Sequence, residues 1–310
     1  MPENLDFEHQ LDLLESRGMI IPLNKRTSSI NKLTTVSYYR IKEFAKPFEV
    51  SNSDGKIYDN LEFSRVLARY YQDKNLRMSL LHAIEQIEVS IKTQLAYALG
   101  TRYSAFGYLD FSNWINRSEF DSYKTLEKQY FFTKELKKST QKSNNADLHM
   151  SSNLNSAGLP SVWLGTNLLT FGQMCNIIYC SKNEIVTEIA RHYNCSGLEL
   201  KSWLGMLNFV RNVCAHNGNL VNLSLETKPK INDELRDYIN FSNGQPVAKL
   251  GIIVMITKMM VRNVNPKYKW TNVCKPLQSL CFPTQSRDRD EMANIIGFKD
   301  FDTVKNLHRN

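Results

Sequence analysis

Apolar residues recur at every third or fourth position through most of the chain, the spacing that lines one face of an α-helix. The pattern is clearest over residues 61–99, where Leu76, Leu80, Ile84, Ile87, Ile91 and Leu95 form one stripe. It predicts a long core helix, with Asp73 as a candidate break. An N-terminal helix is expected over residues 4–17, stopping at Gly18, because glycine takes the left-handed cap conformation without a Cβ penalty. Helical turns follow over 30–44, and further helices are expected over 118–137, 172–179, 182–193, 197–222, 232–241, 247–264 and 270–281. The one non-helical element expected is a hairpin within 47–59, turning at Asn52-Ser53-Asp54-Gly55. The fold class is therefore all-α: a helical bundle with additional helices and a small β-hairpin near the N-terminal third.

This pattern divides the chain into an N-terminal helical region with the hairpin (1–60), the first half of a helical core (61–137), a segment rich in Ser, Asn and Lys (138–158), and the second half of the core (159–310). Having hardly any large apolar residue, the third segment is expected to be a flexible linker or insertion. The whole is read as one composite domain without internal repeats. The six cysteines include no Cys-x-x-Cys pair and mostly sit among apolar neighbours, so buried reduced thiols are expected rather than a zinc knuckle or disulfide framework. The first twenty residues are acidic and amphipathic, unlike a secretory signal, and the longest apolar run, 250–261, is interrupted by Lys258 and too short for a membrane span. A cytoplasmic protein is expected. A formal charge of +8 favours a polyanionic partner, yet such an excess does not by itself select nucleic acid.

The segment from Trp203 to Asn222 carries the candidate chemistry. Drawn as one helix from Arg211 at zero, Trp203, Met206, Leu207, Phe209, Val210, Val213, Cys214, Leu220 and Val221 fall within about 160° to 320°, a core-facing stripe. Arg211, Asn222, Asn208, Asn219, Asn212 and His216 share the other arc, with Gly205, Ala215 and one exception, Leu204. That arc holds no acid and no lysine, unlike an ordinary solvated face, and its small residues would admit another backbone. Asn212 stands one helical turn before His216, where its amide could fix the imidazole. Arg211 lies about 140° round and ~7.5 Å along the axis from His216, so the two would flank a bound phosphate. RNA supplies its own nucleophile in the 2′-hydroxyl, so a proton-transferring imidazole and a cation suffice for strand cleavage. Arg77 and His82 repeat the same spacing, but among Leu80, Leu81 and Ile84 they are read as structural.

Arg211-Asn-Val-Cys-Ala-His216 resembles the Arg-polar-x-x-x-His motif of HEPN ribonucleases. The surrounding chain resembles the Abi-like proteins AbiD and AbiF through LLESRGMII, VSYYRIKEFAKPF, LRMSLLHAIEQIEVSIKTQLAY, PSVW with LLTFGQM, and RNVCAHNGNLVN, in that order. The C-terminal IIGFKDF lacks the Pro and Trp usual at that place. The resemblance implies a HEPN fold and an endoribonuclease toxin of phage defence, needing neither metal nor cofactor and leaving a 2′,3′-cyclic phosphate and a 5′-hydroxyl. It makes Arg211 and His216 catalytic, with Asn212, Asn208 and Asn219 orienting them or binding RNA. A single copy of the motif implies a homodimer with a composite site. RNA is the implied partner, as substrate and as an inhibitory small RNA antitoxin, with a protein antitoxin left open; neither DNA nor a membrane is expected.

Other candidates have plainer readings. Glu88 with Lys92 one turn on reads as a surface ion pair, and either Glu85 or Glu88 could line the cleft. Tyr38, Tyr39 and Arg40 could stack on bases or pack in the core. Lys267, Lys269 and Trp270 form a small basic and aromatic cluster that could contact RNA. The rival reading of the whole is a non-catalytic HEPN-like module that binds RNA or a phage protein.

Overall fold

The computed structural model describes residues 4–52, 55–58, 60–283 and 287–309. Its helices are α1 (Phe7–Ser16), α2 (Arg26–Leu33), α3 (Tyr38–Ala45), α4 (Phe63–Tyr103), α5 (Phe111–Trp114), α6 (Ser122–Lys142), α7 (Val162–Gly165), α8 (Phe171–Cys180), α9 (Asn183–Arg191), α10 (Gly197–Ala215), α11 (Asp233–Arg236), α12 (Leu250–Val264), α13 (Thr271–Leu280), α14 (Arg289–Ile295) and α15 (Phe301–Lys305). The fold is all-α, with short strand pairs at its margins.

Helix α4 organises the molecule. Its 41 residues contain no proline and reach Gly100 before the first glycine, so nothing in the backbone interrupts a rod of roughly 60 Å. The expected stripe is buried along it, Leu76, Leu80, Ile84, Ile87, Ile91 and Leu95 being fully covered. Asp73 does not break the helix. Aspartate disrupts helices by bonding its own backbone, whereas this carboxylate is taken up by Arg77 and by a distant loop. The larger core packs α8, α9, α10, α12 and α13 around α4, and a second cluster gathers Leu11, Leu14, Ile41, Phe44 and Tyr58 over its first turns at Phe63 and Val66.

The predicted hairpin is present, with β2 (Glu49–Asn52) antiparallel to β3 (Gly55–Tyr58) and Asn52 opposite Gly55; Ser53, Asp54 and Asp59 lie outside the described residues. Gly18 caps α1 as expected, at φ +88°, and a Cβ there would collide with the Tyr58 carbonyl. Two strand pairs were not expected. Parallel β1 (Met19–Ile20) and β4 (Leu61–Glu62) tie the N-terminal unit to the start of α4. Beyond α11, β5 (Phe241–Ser242) and β6 (Gln245–Pro246) turn through Asn243 and Gly244, both at positive φ. The helix expected over 232–241 stops at Arg236, and the chain goes on into this hairpin, for which the Asn-Gly pair is the sequence signal.

The segment expected as a linker from residue 138 begins as helix, because α6 continues to Lys142. Its asparagines then bind the backbone of their own turns. Asn145 accepts from the Asp147 amide at 3.0 Å, and Asn155 accepts from Ala157 at 3.0 Å and Leu159 at 2.9 Å. Leu148 is buried beneath. Among the described residues no helix is long and apolar enough to cross a membrane.

Candidate functional site at the end of α10

Helix α10 starts with a reciprocal cap, in which the Ser196 hydroxyl accepts from the Glu199 amide while the Glu199 carboxylate accepts from the Ser196 amide. It ends earlier than its apolar pattern predicts. His216 is the C-cap, Asn217 follows in the left-handed region at φ 57°, and the Gly218 amide donates back to the Val213 carbonyl at 2.7 Å. The Gly218 bond is the 6→1 bond of a Schellman-type stop, with asparagine in the left-handed position where glycine is usual. Gly218 is required by contact, since a Cβ there would stand 2.7 Å from Val213 Cγ1. Asn219, Leu220, Val221 and Asn222 are therefore loop residues. They do not belong to the helical arc drawn from the sequence, and the Asn217-Gly218 pair was the signal that placed them outside it.

The loop is fixed by charged groups from two distant elements. The Asp73 carboxylate, fully buried, accepts from the Leu220 amide at 2.8 Å and the Val221 amide at 2.9 Å through one oxygen. Its other oxygen accepts from Arg77 Nε at 2.8 Å. Arg77, also buried, donates onward to the Asn217 side-chain oxygen at 2.9 Å. Arg40 of α3 donates to the Asn217 carbonyl, and Arg69 donates to the Asn222 side-chain oxygen at 2.6 Å. The Asn222 amide nitrogen closes the set on the Glu43 carbonyl at 3.3 Å. Asp73, Arg77, Arg69 and Arg40 thus hold the six residues after His216, a role the sequence reading did not assign. Arg77 is structural, as expected of the repeated spacing, and His82 lies apart on the surface, sharing a hydrogen bond with the Tyr268 hydroxyl at 3.1 Å.

Arg211 and His216 both reach the surface, Arg211 half-buried and His216 exposed. Among the described residues the imidazole has no hydrogen-bond partner; Asn212 meets it only through the backbone, accepting the His216 amide at 3.0 Å. The expected Asn212 brace on the ring is absent from this arrangement. Arg211 Nε stands 4.0 Å from Glu88, which pairs with Lys92 at 2.9 Å. The face without acids on its own helix thus borrows one from α4. Glu85 is exposed. Asn208 is half-buried and faces Gly172 of α8, while Asn219 accepts from the Asn222 amide at 3.1 Å. Asn219 thus braces the loop through its side-chain oxygen, while its side-chain nitrogen is buried without a hydrogen-bond partner among the described residues.

The buried face of α10 is also rotated from the sequence projection. Leu204, placed on the polar arc, is 1% exposed, and Phe209, placed in the core stripe, is 48% exposed. Leu204 is covered because α8 packs there, the Cys175 thiol lying 3.7 Å from its carbonyl. The open side carries Leu198, Gly205, Phe209, Asn212, Ala215 and His216, and nothing lies within 4 Å of where a Gly205 Cβ would be. Of the other candidates, Tyr39 is exposed, Tyr38 is half-buried and accepts from Arg17 at 2.9 Å, and Trp270 is buried against Tyr268 and so unable to meet RNA. The cysteines are reduced, and burial pushes the thiols of Cys175, Cys195, Cys214 and Cys281 up to about 12.

The family model of the Abi-like proteins matches residues 31–222, more than half the chain, and runs from the end of α2 to the last residue of the clamped loop. The chain belongs to the Abi-like protein family. No curated protein and no solved structure matches it. Membership gives this Abi-like protein a suggested role in abortive infection, a response to phage. The matched span contains α4, α10 and every residue of the clamp.

Proposed function

We propose that this Abi-like protein is a HEPN-type endoribonuclease toxin of the AbiD/AbiF kind, acting in phage defence through Arg211 and His216 without metal or cofactor. The observation that carries the reading is the mounting of His216. An exposed imidazole stands at a helix end whose following loop is held by a buried carboxylate and three guanidinium groups. The clamp fixes the backbone beside the imidazole and leaves the ring itself open to a substrate, a scaffold suited to a reacting group.

In the reaction the ribose 2′-oxygen attacks the adjacent phosphorus, forming the 2′,3′-cyclic phosphate while the bond to the 5′-oxygen breaks. An imidazole takes the 2′-hydroxyl proton, and an imidazolium returns a proton to the departing 5′-oxygen. Arg211 compensates the added negative charge on the phosphoryl oxygens, leaving Glu88, which now sits 4.0 Å away, to orient its far side. One imidazole cannot start in both protonation states, so two copies meeting through the open side of α10 supply the acid and the base. Gly205, with empty space around it, and the exposed Phe209 ring support that approach. The trigger, and an inhibitory RNA or protein, act on this site from outside the chain.

The test is induced expression of wild type, Arg211→Ala and His216→Ala, followed by mapping of new 5′-hydroxyl RNA ends and by cleavage with purified protein in EDTA. Growth arrest and cleavage with wild type alone are expected. Equal growth arrest by all three proteins, or no cleavage by any, would favour a non-catalytic RNA- or protein-binding module.

A further inference from the structure

Between the first turns of α4, the hairpin region and the C-terminal helices lies a half-open cavity of about 790 Å³, within the size range of small-molecule sites. Phe48, Arg65, Arg69, Leu280, Phe282 and Arg287 are in its wall. Two carboxylates, Glu49 and Glu62, are there as well, and Glu62 is exposed and accepts from the Ser64 hydroxyl at 2.7 Å. Three guanidinium groups therefore outnumber the acids around the space.

Arg69 is the unusual member. It is 8% exposed, and its Nε is buried with no hydrogen-bond partner. Among the described residues it forms no ion pair. Asp73, the acid one turn along α4, is already committed to Arg77 and the two loop amides. Burial lowers its affinity for its proton, to a pKa of about 10, outweighing the nearby charge of Asp73, which forms no ion pair with it. Arg65 stands beside it, both guanidinium groups lying over the Phe48 ring at 5.6 and 5.7 Å. Arg65 otherwise donates only at 3.4 and 3.5 Å to the Pro283 and Phe282 carbonyls. Two neighbouring cations, one of them desolvated and unpaired, favour an anion placed between them and the solvent mouth of the cavity. The lining also has apolar members, with Leu280 and Met292 buried and the Phe282 side chain 63% exposed, offering a face on which a planar ring can stack.

We propose that this cavity binds a nucleotide, its phosphate held by Arg65 and Arg69 and its base laid against Phe282. The site is separate from Arg211 and His216. It adjoins the clamped loop, because the same Arg69 guanidinium holds Asn222. A free nucleotide and the 5′-phosphorylated end of an RNA strand present the same chemistry.

Equilibrium dialysis of the full chain tests it with 5′-AMP, adenosine, inorganic phosphate and a 5′-phosphorylated RNA hexamer. Saturable binding of AMP at least tenfold tighter than adenosine or phosphate is expected, falling at least tenfold in both Arg65→Ser and Phe282→Ser, with thermal melts confirming that each variant is folded. Binding of the hexamer alone, with the same dependence on both residues, assigns the site to a strand end. Binding of neither ligand up to millimolar concentration, AMP no tighter than phosphate, or affinities unchanged in the variants would overturn the proposal. Dialysis reads occupancy and not strand cleavage, so its result stands whether or not the chain is a ribonuclease.

Discussion

Replacing Asp73 by asparagine changes one oxygen for an amino group, and the structure shows what that group would face. If the remaining oxygen keeps the Leu220 and Val221 amides, the new amide hydrogens point at Arg77 Nε; if the side chain turns over, they point at the two loop amides. Either way a donor meets a donor, and Arg77, itself buried, loses its counter-charge. Breaking a buried ion pair by neutralising one partner costs about 3–5 kcal/mol, a large share of the roughly 5–15 kcal/mol that holds a domain together. The paired substitution Asp73→Leu with Arg77→Met separates the contributions. It removes both charges, so the ion-pair penalty largely disappears, but the Leu220 and Val221 amides stay buried without acceptors, at about 1–3 kcal/mol each. Urea unfolding at neutral pH measures both variants. The asparagine variant is expected to be strongly destabilised, the double variant to remain about 2–6 kcal/mol below wild type, and both to lose RNA cleavage, because the loop after His216 is released. An asparagine variant within about 1 kcal/mol of wild type, or a double variant as stable as wild type, would refute the account of the clamp.

Gly218→Ala should cost about 1–3 kcal/mol by urea unfolding, because its Cβ would crowd Val213 at the stop of α10. Phe209→Asp, an exposed change on the open side of α10, is expected to leave thermal stability nearly unaltered while shifting light-scattering mass from the proposed dimer to monomer and abolishing the proposed cleavage; a variant that is monomeric and fully active would refute the shared site. With thiols held near 12 by burial, Cys175, Cys195, Cys214 and Cys281 are neutral in the folded state at pH 8. All four should resist a thiolate-directed reagent until denaturant is added. A raised folded pKa contributes stability in full below the unfolded thiol value of 9.0 and loses it progressively as pH climbs towards about 12. Unfolding midpoints should therefore fall between pH 9 and 11, and rapid labelling of these thiols in the native protein would count against their burial.

The local pattern of the chain was enough to determine that the α4 region is helical with a buried stripe, that Gly18 ends α1, and that a hairpin lies before α4; that the helix runs unbroken through Asp73 was not legible, because the loop amides that donate to that carboxylate are distant in sequence. Each of the three legible features follows from a periodicity or a turn residue acting within a few positions of itself. The spacing of Arg211 and His216 was legible for the same reason, though the sequence pattern drew both within one helix and the structure puts His216 at its cap. Tertiary structure decided what the pair sits on. Asp73 meets Leu220 and Val221 across 147 and 148 positions of sequence, and Arg40 meets Asn217 across 177. Whether a charged residue breaks a helix or anchors a loop depends on such distant partners. The rotation of the α10 face has the same origin: Leu204 is buried because α8 lies over it, while Phe209 stays open because none of the described elements does. Periodicity reports that a face is apolar, but packing against elements far along the chain selects which face is covered and which groups are left for chemistry.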